Sequence, residues 1–140
     1  MSLSEIISPL IGRLLLAWFF LSAAFASAGA FDATVQLLAL KHVPVPQLML
    51  VVALVVMFLG GCSLVLGFQT RHGAMMLFGF TIIVSVVMHD YWMIHDPVVR
   101  AADFEIFARN MAIAGGLLLL VGMGAGPFAF DNRGSRERER

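Results

Sequence analysis

Two pairs of polar side chains interrupt the apolar runs of this 140-residue sequence. His89-Asp90 lies near the end of one run, and Arg109-Asn110 lies near the start of another. A histidine exchanges protons near neutral pH, an arginine donates several hydrogen bonds in a fixed plane, and an amide both donates and accepts. We therefore take His89, Asp90, Arg109 and Asn110 as the candidate ligand-binding residues, with Asp90 or Asp96 as the partner of His89.

Each pair also has a structural interpretation, which the sequence leaves open. Glu105 precedes Arg109 by four residues, so an ion pair on one helix face could neutralise the arginine as it enters a bilayer. In the functional alternative, Arg109 and Asn110 line a polar pocket, where the arginine donates to a quinone carbonyl or to an anionic substrate.

The segment after His89 offers a similar choice. Tyr91 and Trp92 are typical of the aromatic belt that anchors a helix end at a membrane surface. The functional alternative is that His89 hydrogen-bonds a quinone headgroup or relays its protons.

The composition predicts that these residues are carried by membrane-spanning helices. The chain is 60% hydrophobic and 13% charged, whereas soluble domains are about 45–50% apolar and about 25% charged. Four apolar runs, residues 9–31, 45–67, 74–94 and 106–130, each have roughly the 20 residues that a spanning helix needs. We predict an all-α transmembrane four-helix bundle over residues 1–131, followed by a charged and disordered tail over residues 132–140.

Two details of this bundle can be predicted. The region before the first run holds Glu5 and the run itself holds Arg13, which favours a retained helix over a cleaved signal peptide. The pairs Gly60-Gly61 and Gly115-Gly116 favour close approach of neighbouring helices, because small residues let membrane helices pack tightly.

Charge predicts the orientation and excludes some partners. An even number of spans puts both termini on one side, and that side carries most of the arginines, so we expect both termini in the cytoplasm. His42, His89 and His95 then gather at the outer face. The formal net charge is zero, which gives no indication of a nucleic-acid partner.

Several chemistries are disfavoured. The single cysteine, Cys62, excludes an intrachain disulfide. His72 and His89 lie about 25 Å apart along one helix and cannot share a haem iron, and no histidine spacing matches a recognised zinc site, so we expect no metal. No carboxylate lies near the midplane of a span, which disfavours a coupled transporter.

Several segments together resemble the DoxX family of small four-helix membrane proteins. The matches are Arg13 followed by Phe20-Leu21; residues 43–46 (VPVP); residues 60–71 (GGCSLVLGFQTR); residues 107–118 (FARNMAIAGGLL); and residues 124–127 (GAGP) before Asp131. The resemblance runs from about residue 13 to residue 131. It departs in the first helix, where Ala24 and Ser27 stand at positions that commonly hold glycine and lysine, and at Arg109, where lysine is usual.

The resemblance implies a multi-pass protein of the bacterial cytoplasmic membrane, often linked to redox enzymes. Some relatives are described as subunits of a thiosulfate–quinone oxidoreductase, and others accompany oxidative-stress proteins. We therefore expect an accessory subunit of, or partner to, a quinone-linked redox complex rather than a stand-alone enzyme, with an outer-leaflet pocket for quinone and with other membrane subunits as partners. The alternative is a non-catalytic scaffold or assembly protein in the bilayer, and a small-solute transporter is the third hypothesis.

Overall fold

The computed structural model describes residues 3–132, and within that range the chain forms helices and turns without a strand. The helices are α1 (Leu3–Gly29), α2 (Phe31–Leu40), α3 (Pro46–Leu66), α4 (Thr70–Met88) and α5 (Pro97–Met123), with short 3-10 turns at Tyr91–Met93 and Phe130–Asn132. Four helices, α1, α3, α4 and α5, are long and apolar enough to cross a membrane. The predicted all-α transmembrane bundle is therefore confirmed. Residues 133–140 of the predicted tail lie outside the described residues.

The four long helices pack in the order α1, α3, α4, α5 around a small apolar core. Helix α5 rests mainly on α4, and it meets α1 only marginally. The core is centred on Ala17, Phe20, Leu64, Leu77 and Leu117. Most other large apolar side chains point outward, as expected of helices whose surroundings are lipid rather than water.

The first of the two glycine pairs explains how these helices approach. A Cβ atom on Gly60 would lie 2.5 Å from the Leu77 side chain, and one on Gly61 would lie 2.7 Å from Leu21. These glycines therefore allow the close packing of α3 against α4 and α1, as predicted. Gly115 behaves differently, because a Cβ atom there would meet nothing within 4 Å. Within a single chain, Gly115 therefore faces open space on α5 rather than a neighbouring helix.

The connection between the first two spans contains a helix that the apolar-run analysis assigned to a linker. Helix α2 packs along α3 and touches α1, yet none of its residues is buried. Thr34 reinforces its first turn by donating to the Ala30 carbonyl at 2.9 Å. Left-handed residues His42 and Val45 then turn the chain into α3, where Pro46 occupies the first turn.

Helix α5 begins nine residues before the apolar run that predicted it. The Asp96 carboxylate accepts hydrogen bonds from the backbone N–H groups of Val98 and Val99 at 2.8 and 3.2 Å, and Pro97 occupies the first turn. Because this N-cap starts the helix at Pro97, the segment 100–109, which carries several charged residues, is part of α5. It follows that Asp103 belongs to α5 rather than to a loop.

Candidate functional site

The bundle has two ends, and polar side chains collect at both. The loop end carries the connection from α1 to α3 and the turn from α4 to α5. The terminal end carries the start of α1, the tight turn from α3 to α4, and the segment that follows α5. All four predicted ligand-binding residues lie at or near the loop end.

His89 lies at the C-terminal end of α4, where its backbone N–H donates to the Ser85 carbonyl at 3.1 Å. The 3-10 turn that follows reverses the chain, and α5 then runs back alongside α4. This reversal places His89 Nδ1 2.8 Å from Asp103 Oδ1. The histidine therefore has a carboxylate partner, but the partner is Asp103 and not Asp90 or Asp96.

Within the described residues, the side chains of His89 and Asp103 use only part of their hydrogen-bonding capacity. These side chains are 21% and 17% exposed, respectively. In the described range, Asp103 Oδ2 is buried without a hydrogen-bond donor, and His89 Nε2 has no partner. A buried polar atom that lacks a partner costs free energy, so Asp103 Oδ2 marks a place for an additional hydrogen-bond donor.

Asn110 lies on the same face of α5 as Asp103, because seven residues correspond to two helical turns. It is 9% exposed, and its amide makes no hydrogen bond to residues 3–132. The rise of about 1.5 Å per residue puts it about 10 Å deeper in the bundle than Asp103. The predicted binding residue Asn110 is thus buried and still able to donate and accept.

Aromatic rings form a wall beside this face. The ring centroid of Tyr91 lies 5.1 Å from that of Phe104 and 5.3 Å from that of Phe107, and Trp92 lies 6.2 Å from Phe107, all in edge-on arrangements. Next to this wall an open cavity of about 460 Å³ is lined by Tyr91, Pro97, Arg100, Ala101 and Phe104. The aromatic cluster fits the predicted interfacial belt and also offers planar apolar surface.

Asp90 has a different partner from the one that the sequence indicated. It forms an ion pair with Lys41, which the end of α2 brings to the loop end. Both side chains are partly buried. Asp90 therefore ties the α2–α3 connection to the end of α4, and it is not placed to orient His89.

Arg109 and Glu105 both lie exposed on α5. Their side chains do not form an ion pair within 4.0 Å among the described residues, so the structure does not bring the predicted structural pair together. Arg109 is about 100° around the helix from the buried Asn110. The two side chains therefore leave the helix in different directions, with Arg109 exposed and Asn110 buried.

The terminal end contains a buried cation that motif reasoning did not select as a site. Arg13 on α1 is 2% exposed and donates to the carbonyls of Ala125 and Phe128 at 2.8 and 3.0 Å. Gly67 is close by, since a Cβ atom there would lie 2.6 Å from an Arg13 nitrogen. An arginine inside an apolar run was the available signal, but its acceptors lie more than 110 residues away and cannot be found by spacing.

Asp131 completes this cluster by capping α4. Its carboxylate accepts from the backbone N–H groups of Gln69 and Thr70 at 2.6 and 2.9 Å. Burial raises the pKa of Asp131, but these hydrogen bonds and the nearby charge of Arg13 outweigh burial and hold the pKa below its ordinary value. The segment after α5 is thereby fastened across the end of the bundle.

No group of three or more histidine, cysteine, aspartate or glutamate side chains within residues 3–132 is arranged to hold a metal ion. At the loop end, the side chains of His89, Asp103 and Asn110 are able to form hydrogen bonds.

Residues 8–90 match the DoxX family model. The chain is 34% identical over 125 residues to the inner membrane protein YphA of Escherichia coli, covering 89% of this chain and 88% of that protein. It is 28% identical over 127 residues to the inner membrane protein YqjF of the same organism, covering 91% and 92% respectively. No solved structure matches the chain.

Proposed function

Because this chain belongs to the DoxX family and is a multi-pass bacterial inner membrane protein, we propose that it is an accessory subunit of a quinone-linked redox complex. Its quinone site is formed by His89, Asp103 and Asn110 at the loop end. The observation that carries the proposal is the set of unsatisfied polar atoms on this face: the buried oxygen of Asp103, the second ring nitrogen of His89 and the amide of Asn110.

The His89–Asp103 contact supports a role in proton exchange. Asp103 holds Nδ1, which orients the ring and leaves Nε2 for a ligand. A quinol hydroxyl can donate to Nε2 or to the unsatisfied Asp103 oxygen. A bound quinol would supply two electrons to a redox centre of the partner complex on oxidation, and of its two protons His89 would accept one at Nε2 while water at the loop end would accept the other.

The position of Asn110 on α5 fits the size of a quinone headgroup and the depth at which it would lie in the bilayer. A para-quinone carries its two carbonyl oxygens on opposite sides of the ring, so it can hydrogen-bond to two groups at different depths. The vertical separation of about 10 Å between Asp103 and Asn110 leaves room for such a ring with a hydrogen bond at each side. The neighbouring rings of Tyr91 and Phe107 provide the apolar wall against which a planar headgroup packs.

The orientation predicted from charge puts this site in the outer leaflet. Quinones are confined to the bilayer, so they must enter the bundle from its side. The contact between α5 and α1 is marginal, which makes the gap between these two helices the most open side of the bundle. Arg109 is exposed and is not part of this site, which changes the ligand set from the sequence-based one.

The scaffold alternative is favoured by a different observation, the exposed charges of Glu105 and Arg109, which suit contact with another protein.

Tryptophan fluorescence provides a specific test, because quinones quench nearby indole rings. The chain has two tryptophans, and Trp92 packs at the aromatic wall whereas Trp18 lies on α1. In a Trp18→Phe background, titration with a short-chain quinone in mild detergent should quench Trp92 with saturation. Adding Asn110→Leu, which keeps the size of the side chain and removes the amide, should weaken binding about tenfold or more.

The matched control is His95→Ala in the same background, since His95 is an exposed histidine at the same end of the bundle. Its quenching curve should coincide with that of the parent. Linear, non-saturating quenching in the parent, or equal binding by the Asn110 variant, would rule out the site.

A further inference from the structure

We propose that two copies of this chain associate side by side through one face of α5, with Glu105 of each copy paired to Arg109 of the other. The face consists of Ala101, Glu105, Ala108, Ala112 and Gly115, and Arg109 flanks it. All six residues are exposed in the single chain. Their spacing of alternately four and three residues puts the first five on one side of the helix, away from α4 and from the buried Asn110.

The charges on this face are costly in an isolated chain. Glu105 and Arg109 lie inside a helix of 27 residues that is assigned as a membrane span. Counting about 20 residues of hydrocarbon core back from Met123 puts Glu105 near the boundary and Arg109 about one turn inside it. A charged side chain at that depth is stabilised by a partner, and among the described residues neither side chain lies within 4 Å of an opposite charge.

A second copy supplies that partner by symmetry. Two membrane proteins with the same orientation are related by a two-fold axis along the bilayer normal, so their α5 helices run parallel at equal depth. In such an interface a contact between residue i and residue j occurs twice. Glu105 and Arg109 are one turn apart, and a long arginine side chain covers that offset. Glu105 of each copy can therefore pair with Arg109 of the other, which gives two ion pairs per dimer.

The rest of the face permits the approach that these pairs require. Its other members are alanine and glycine, and a Cβ atom on Gly115 would meet nothing within 4 Å. Backbones that carry small side chains can pack closely in lipid, where van der Waals contact drives helix association. The face of α5 that the bundle leaves open thus combines close packing with charges that complement those of an identical copy.

Charge reversal separates pairing between copies from pairing within one chain. Full-length chains carrying donor or acceptor fluorescent proteins at the C terminus are reconstituted in liposomes, and energy transfer is followed as lipid is added. Glu105→Arg alone creates two arginines facing two arginines, and Arg109→Glu alone creates four carboxylates. Each should dissociate at protein densities about tenfold or more above those at which the wild type does.

The decisive sample mixes the two variants, one on the donor chain and one on the acceptor chain. Neither chain can form the pair internally, whereas a mixed dimer has two complementary pairs, so energy transfer should return to the wild-type level. Arg100→Glu, an exposed charge on another side of α5, is the matched control and should associate like the wild type. Helical circular dichroism of each variant establishes that the monomers are folded.

Three outcomes would overturn the proposal: a mixture that associates no better than its components, single variants that associate like the wild type, or a wild type that is monomeric at every lipid dilution.

Discussion

At the scale of single residues, the structure separates three charged or polar groups that the sequence treats alike. His89 is held by Asp103, Asp90 is held by Lys41, and Arg109 is left exposed. The difference follows from position, because His89 faces α5 across the turn whereas Arg109 points away from the bundle on an exposed side of that helix. Only His89 and Asn110 of the original four residues therefore remain in the proposed site, joined by Asp103.

Arg13 provides the first prediction at this scale. Arg13→Met keeps an unbranched apolar stem but removes two hydrogen bonds to backbone carbonyls and the positive charge near Asp131. Hydrogen bonds from a charged group contribute more than neutral ones, so we expect a loss of about 2–4 kcal/mol in the free energy of unfolding. Reversible denaturation in mixed detergent micelles, followed by circular dichroism, measures it.

The matched control for Arg13 is Arg71→Met, because Arg71 is exposed and its contact with the Gly122 carbonyl is long, at 3.4 Å. This variant should change stability by about 0.5 kcal/mol or less. Equal effects of the two substitutions would show that burial of Arg13 contributes nothing.

At the scale of helices, α3 and α4 approach each other through Gly60. Gly60→Ala would place a methyl group against the side chain of Leu77, and the resulting overpacking should cost about 1–3 kcal/mol. Gly79→Ala on α4 is the matched control, because a Cβ atom there meets nothing within 4 Å, and alanine favours helix by up to about 1 kcal/mol. The same denaturation assay should separate the two, and a stabilised Gly60 variant would refute the close approach.

Because Asp131 caps the start of α4, we predict that the stability of the folded protein decreases at low pH. The folded state holds the pKa of Asp131 below its unfolded value of about 3.9. The stabilisation is therefore complete above that value and is lost as the pH falls through the lower, folded-state pKa. Thermal unfolding between pH 6 and pH 3 should show this loss in the wild type, and the loss should be smaller in Asp131→Asn; identical pH profiles would contradict it.

Sequence reasoning recovers the four spans but misses how they are joined. Length and hydropathy are properties of each helix alone, so the spans were predictable. The Asp96-Pro97 start of α5 was visible as a cap followed by proline, but reliance on apolar runs put Asp103 in a loop and hid its contact with His89. The contacts of Arg13 could not be predicted, because only tertiary packing brings the segment after α5 to α1.

At the scale of the whole molecule, the predicted orientation decides on which side of the membrane the proposed site opens. The loop end should face the periplasm, because arginines are concentrated at the terminal end. A reporter that is active only in the periplasm should be inactive when fused to the C terminus and active when inserted between His42 and Val43. The opposite pattern would put the site at the cytoplasmic surface.

The proposed quinone site at the loop end, formed by His89, Asp103 and Asn110, should retain its ligand when the protein is purified gently. The most direct measurement is the quinone content of protein purified from bacterial membranes in mild detergent, determined by organic extraction and chromatography. We predict about one quinone per wild-type chain and at least about tenfold less in Asn110→Leu. A wild-type preparation that contains no quinone and takes up none when it is supplied would contradict the claim.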